Sequence, residues 1–201
     1  RSRNQKSNFN SKTPKLVLVY NDNMIPNLLS VFRMIAFLPV IILFTSEYYL
    51  TSFFLFTAAA WSDFLDGFLA RRYNITSKLG SLLDLLADKI LVSSILIFLV
   101  FFTGNIYLLI LTIIIILREI SISSLRLFLV SSGVEISNIV PNKYGKLKTF
   151  LQMISISLLL LYPIFGNIFF ISVLILLLIS TLFSIASFLN YLKIWNSLEE
   201  K

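Results

Sequence analysis

From residue 26 to residue 192 the chain is a succession of six apolar runs, at about 26–45, 49–70, 81–102, 106–128, 147–165 and 167–192, parted by short polar stretches. A helix rises about 1.5 Å per residue and a bilayer core is about 30 Å thick, so a run of roughly 20 residues crosses it once. Backbone amides in lipid must be bonded within their own segment, so runs of this length fold as helices. The expected fold is all-α: an integral membrane bundle of six transmembrane helices filling residues 24–192. A large soluble protein also buries apolar helices, but a chain 57% hydrophobic and only 13% charged has too little polar sequence to cover such a core. Before the bundle, residues 1–23 carry Arg1, Arg3, Lys6, Lys12 and Lys15 among Asn and Ser and lack a sustained apolar face. They read as a basic flexible or surface-lying tail, with residues 193–201 as a short polar C-terminal tail. No cleavable signal peptide is evident, and the first residue is not Met, which leaves targeting open.

The basic residues set an orientation. Lys and Arg gather in the N-terminal tail, at Arg71, Arg72 and Lys78, at Arg126, Lys143, Lys146 and Lys148, and at Lys193 and Lys201. The alternate loops, around Ser46 and Glu47, around Thr103 to Asn105, and around Tyr162 to Gly166, contain none. By the positive-inside rule both termini are cytoplasmic. A net charge of +7 would suggest nucleic acid in a soluble protein; here it marks cytoplasmic loops beside anionic lipid headgroups, and no nucleic-acid partner is expected.

Four of the chain's five aspartates, Asp63, Asp66, Asp84 and Asp88, fall within the segment DFLDGFLARRYNITSKLGSLLDLLAD at 63–88. One Asp at the centre of a membrane helix costs about 2.5–3.5 kcal/mol, so four together cost on the order of 10 kcal/mol unless a cation binds them. Asp63 and Asp66 are separated by roughly 60° around a helix and Asp84 and Asp88 by roughly 40°, so each pair occupies one face. A polar turn from Arg71 to Ser77 makes the second and third helices antiparallel neighbours, and their four carboxylates converge near the cytoplasmic end. There is no cysteine and no histidine, which excludes disulfides, thiolate sites and imidazole chemistry. All-carboxylate donors suit Mg²⁺ or Mn²⁺, and two such ions about 3.5–4 Å apart form the clamp used for displacement at phosphorus.

The residues around the aspartates admit two uses. Gly67, Ala70 and Gly80 either let a bulky ligand reach the backbone or simply let helices pack closely. Arg71, one turn beyond Gly67, either holds a phosphate or, with Arg72 and Lys78, only marks the cytoplasmic side. A different class of function, an ion or proton transporter, would spread its acidic residues through the membrane depth, whereas here they gather at one end.

The order Asp63, two residues, Asp66 and Gly67, two residues, Ala70 and Arg71, eight residues, Gly80, three residues, Asp84, three residues, Asp88 resembles, at all eight positions, the signature of the CDP-alcohol phosphotransferases. The resemblance implies a six-helix membrane enzyme, often a homodimer, that uses two divalent cations to move a substituted phosphate from a CDP-linked donor to an alcohol with release of CMP. Residues 25–33 (IPNLLSVFR), 118–126 (REISISSLR) and 145–153 (GKLKTFLQM) look like the bacterial-type phosphatidylglycerophosphate synthases within that family, and the similarity covers about residues 24–192. One departure is Leu85, where many relatives carry proline; it bears on helix shape more than on ligands. Carried over position by position, Asp63, Asp66 and Asp84 are metal ligands, and Asp88 is both a ligand and the general base for the attacking hydroxyl. Gly67, Arg71 and Ser77 match donor-contacting positions, with Ala70 and Gly80 beside them and Asn27 and Ser30 of the first helix facing the cytidine and phosphates.

The donor implied is CDP-diacylglycerol and the acceptor sn-glycerol 3-phosphate, giving phosphatidylglycerophosphate for phosphatidylglycerol synthesis at the cytoplasmic face of a bacterial inner membrane. The acceptor carries its own phosphate, and Arg118, Arg126, Lys146 and Lys148 supply spare positive charge at that end. Other acceptors keep the same chemistry, as in cardiolipin synthase or phosphatidylinositol-phosphate synthase. Arg118 and Glu119 lie about 12 residues into the fourth run, deep enough for either a functional role or an interhelical ion pair. Arg33 is read as a phosphate contact or as a snorkelling or packing residue.

Overall fold

The computed structural model describes residues 24–73, 78–131 and 143–199. They form seven helices: α1 (Met24–Thr45), α2 (Tyr49–Tyr73), α3 (Lys78–Thr103), α4 (Ile106–Ser131), α5 (Lys143–Leu159), the single turn α6 (Tyr162–Phe165) and α7 (Asn167–Glu199). No strand occurs among the described residues. The expected tail at 1–23 and Ser77 lie outside them.

Local chemistry explains the breaks. After α3 the chain reverses at Gly104, whose φ of +59° a side chain rarely adopts. Asn105 then caps α4, its Oδ1 accepting from the amides of Tyr107 at 2.9 Å and Leu108 at 3.1 Å. The run expected at 147–165 is not one helix. It stops at Leu159, because Pro163 disfavours a helical residue before it and is tolerated only in the first turn of a new helix, α6. Gly166, at φ +80°, turns the chain into α7. At the other extreme α7 continues past the end of the apolar run to Glu199.

The helices pack as two groups. In one, α1 lies against both α2 and α3. In the other group α7 lies against α5 and α4, and α3 bridges to α4 and α5. Side chains of Val40, Phe44, Phe56, Leu91, Ile95, Leu99, Leu108, Ile156, Leu159 and Leu177 form the core. At one end an aromatic cluster closes it: Phe44 stacks edge-on with Tyr49, Phe98 and Phe102, and Tyr162 continues the set to Phe170.

The outer surface is rich in large apolar side chains. Ile42, Phe54, Ile97, Ile113, Leu117, Ile171, Ile175 and Leu182 are all exposed. Three segments, Leu86–Thr103, Ile106–Leu125 and Asn167–Leu189, are long and apolar enough to cross a membrane, and Ser30–Thr45 and Leu147–Leu159 are shorter apolar helices. Only 28–33% of each long window is buried within the chain, so the remainder needs lipid around it. This is a membrane protein.

Candidate active site

The end of the bundle away from the aromatic cluster holds a set of buried polar and charged groups. Asp63 and Asp66 lie in α2, and Asp84 and Asp88 in α3, so the one-face spacing of each pair is set by a continuous helix. The side chains of Asp63, Asp66 and Asp84 are outside the described set. Asp88 is half-buried, and its Oδ1 is sealed from solvent. Carboxylates as the only acidic donors in this stretch are a chemically consistent set for hard divalent cations.

Beside Asp88 the chain builds a cluster of opposite sign from three helices. Glu119 of α4 pairs with its neighbour Arg118 at 3.1 Å and with Lys148 of α5. The Arg118 Nε donates to the backbone oxygen of Ser184 in α7 at 3.1 Å, and the Lys89 Nζ of α3 donates to the backbone oxygen of Glu119 at 3.3 Å. Ser180 of α7 donates to the carbonyl of Lys148 at 3.0 Å. The side chains of Arg118 and Lys148 are only 10% and 5% exposed, so their charges act in a low dielectric. The field of Asp88 reaches Lys148 as well.

Below this cluster the interior stays polar. Lys148, Gln152 and Ser155 fall on one face of α5, and Ser180, Ser184 and Ser187 on one face of α7; all six are buried. Gln152 Oε1, Ser184 Oγ and Ser187 Oγ have no hydrogen-bond partner among the described residues. A buried polar atom without a partner costs about 1–3 kcal/mol, so such a group of atoms marks a place for water or a polar ligand.

Arg33 is fully buried, with Nε and Nη2 at 3.4 and 3.5 Å from Ser62 Oγ, one residue before Asp63. Its position rules out snorkelling and makes it a packed tie between α1 and the start of the aspartate segment. Ser30, one turn earlier, is buried too. A CDP-alcohol phosphatidyltransferase family model matches residues 23–188, a span that takes in α1 to α6 and most of α7. The chain belongs to the CDP-alcohol phosphatidyltransferase family.

Among its relatives in that family, the CDP-diacylglycerol–glycerol-3-phosphate 3-phosphatidyltransferase of Haemophilus influenzae is 36% identical over 174 residues, covering 85% of this chain and 92% of the relative. The enzyme of the same name from Rickettsia bellii is 36% identical over 183 residues, covering 86% and 95%. That of Bacillus subtilis is 42% identical over 108 residues, covering 54% and 53%.

Against this family frame the expected site residues divide into groups. Arg118 and Lys148 meet through Glu119, and Lys148 lies within the field of Asp88. The backbones of Asn27, Gly67, Ala70, Arg71, Gly80, Arg126 and Lys146 are helical, with side chains outside the described set. Two contributors were not singled out from sequence. Lys89 is adjacent to Asp88 and reads as another basic residue at a helix end, and Gln152 reads as one polar residue in an apolar run. The signal for Gln152 was its four-residue spacing from Lys148, repeated by the serines of α7.

Proposed function

We propose that this protein transfers the phosphatidyl group of CDP-diacylglycerol to sn-glycerol 3-phosphate, forming phosphatidylglycerophosphate and CMP, at the cytoplasmic face of a bacterial inner membrane. The observation that carries the reading is the Arg118, Glu119 and Lys148 cluster beside Asp88. Buried cations close to a carboxylate of the helix pair that bears the family signature support a phosphate-bearing acceptor. The names of the relatives from Haemophilus influenzae and Rickettsia bellii support the same donor and acceptor.

In this reading Asp63, Asp66, Asp84 and Asp88 hold two divalent cations, Mg²⁺ or Mn²⁺. Bound there, the cations neutralise the pyrophosphate oxygens of the donor and stabilise the departing phosphate. Asn27, Ser30, Gly67, Ala70, Arg71, Ser77 and Gly80 receive the cytidine and the pyrophosphate. Arg118, Arg126, Lys146 and Lys148 hold the phosphate of the acceptor, which orients its 1-hydroxyl. Asp88 takes the proton of that hydroxyl as its oxygen bonds to the β-phosphorus, and the bond from that phosphorus to the bridging oxygen of CMP breaks. No side-chain nucleophile stands in the signature, so a single in-line displacement fits. The six runs cross the membrane with both termini inside, the donor's acyl chains stay among lipid, and two copies pair as the family likeness implies.

Purified protein in detergent, given CDP-diacylglycerol and Mg²⁺, is expected to release CMP with sn-glycerol 3-phosphate. It should do so far less with inositol phosphate, serine or phosphatidylglycerol, and not at all after chelation. Turnover with one of the other acceptors but not with glycerol 3-phosphate would overturn the acceptor assignment. Undiminished turnover in chelator would overturn the metal.

A further inference from the structure

In a membrane helix a serine or threonine hydroxyl has a partner at hand, the carbonyl three or four residues before it. Thr57, Thr103, Ser121, Ser155, Ser157 and Thr181 all donate there at 2.7–2.9 Å. Ser184 and Ser187 do not: each is 1% exposed, and neither Oγ has a partner among the described residues. Gln152, 3% exposed, likewise leaves its Oε1 without one.

These three groups share one seam. Seven residues return a helix to within about 20° of the same direction, so Gln152 lies on the stripe of α5 begun by Gly145, and Ser180 on the stripe of α7 that reaches Ser187. The two stripes face each other: a Cβ on Gly145 would lie 3.5 Å from Ser187 Oγ, and Ser180 Oγ donates to the carbonyl of Lys148 at 3.0 Å. These pairings make α5 and α7 antiparallel, and Ser184, one turn from Ser180, shares the face. Side chains lean toward the N-terminus of their own helix. Gln152 therefore leans toward the level of Lys148, and Ser184 toward the level of Gln152. An amide oxygen and a hydroxyl that approach in this way bond directly when nothing belongs between them. Their failure to do so calls for a third group that both donates and accepts, and an uncharged hydroxyl is such a group.

We propose that the seam between α5 and α7 is a hydroxyl subsite of the acceptor site, in which Gln152 Oε1 accepts from the 2-hydroxyl of sn-glycerol 3-phosphate and Ser184 Oγ donates to it. Lys148, one turn of α5 from Gln152, lies within the field of Asp88, so the seam borders the place where the attacking 1-hydroxyl gives up its proton. Ser187, opposite a residue with no side chain, continues the polar track toward the start of α5. The pair selects a glycerol backbone over a simple alkanol phosphate. The inference rests on the reading that sn-glycerol 3-phosphate is the acceptor.

The test compares sn-glycerol 3-phosphate with 3-hydroxypropyl phosphate, which keeps the phosphate and the primary hydroxyl and lacks only the 2-hydroxyl. CMP release from CDP-diacylglycerol is followed for the purified wild type, Gln152→Met and Ser184→Ala. The wild type is expected to favour glycerol 3-phosphate in kcat/KM by roughly 10- to 100-fold, because the analogue leaves two buried partners unmet. Each substitution should lower that ratio about tenfold through slower use of glycerol 3-phosphate, while kcat/KM for the analogue stays within about threefold. Ser184→Ala keeps the carbonyl that Arg118 uses, and it carries the test if Gln152→Met folds poorly. A wild type that uses the two acceptors equally would leave only a resident water in the seam and overturn the subsite. Variants that slow both acceptors alike would also overturn it, since a packing role has that mark. A wild type that releases no CMP with either acceptor would instead remove the acceptor reading on which the subsite rests.

Discussion

The two ends of this bundle use opposite means to hold helices together. At one end Phe44, Tyr49, Phe98, Phe102, Tyr162 and Phe170 interlock ring against ring, and the helix ends nearby are tied by local turns and caps. At the other end Lys89, Arg118, Glu119 and Lys148 meet across α3, α4 and α5, anchored to α7 through Ser184. Aromatic packing is stable with no further partner. The charged cluster instead depends on ion pairs and hydrogen bonds between buried groups, each of which must meet its partner. The lesson is a separation of means: rings packed on rings at one end, and at the other buried polar groups such as Gln152, Ser184 and Ser187 beside ion-paired side chains.

Substitutions at each end should therefore separate activity from stability. The largest effect is expected from Asp88→Asn, which should reduce CMP release by about 100- to 10,000-fold, the range for loss of a general base. Donor binding and the thermal midpoint in detergent should be retained; a variant with normal turnover would remove Asp88 as the base. At the aromatic end Phe44→Ala should lower stability by about 3–5 kcal/mol through the cavity it leaves, measured by thermal or denaturant unfolding. The kinetic constants of the folded fraction should not move; a selective rise in KM for either substrate would show that the two ends are coupled. Smaller in energy is Lys148→Met, which should raise KM for glycerol 3-phosphate by roughly 10- to 100-fold, the equivalent of about 1.5–3 kcal/mol. Stability should fall by less than in Phe44→Ala, since removing one partner of a buried ion pair costs most when the other charge is left uncompensated and Glu119 keeps Arg118. A drop in stability as large as that of Phe44→Ala would mean that the cation is structural.

How much of this was legible in the sequence differs between the ends. Helix existence was plain from apolar run length, and the loop at Thr103 to Asn105 was marked by its own polar residues. The stop at Leu159 was hidden because the apolar run continues through Leu160, Leu161 and Tyr162, while the break is imposed by Pro163 and Gly166. The aspartate spacing was legible because a helix converts three- and four-residue intervals into one face. The meeting of Lys89, Glu119 and Lys148 was not, since it depends on the axial register of three different helices, and no interval within one helix encodes that. Gln152 lay between these cases: its four-residue offset from Lys148 was visible, but the burial that makes it informative was not.

The hydrogen bond from Arg118 to the Ser184 carbonyl has a consequence for how the protein is made. Ser184 belongs to α7, which leaves the ribosome after α1 to α5, and the Lys148 carbonyl is also met from that helix by Ser180. Until α7 inserts and docks, Arg118 and Lys148 lack these anchors, and the cation cluster has no fixed aim. A chain inserted only as far as α5 would already carry the complete aspartate signature on α2 and α3 but not the contacts of α7 with Arg118 and Lys148.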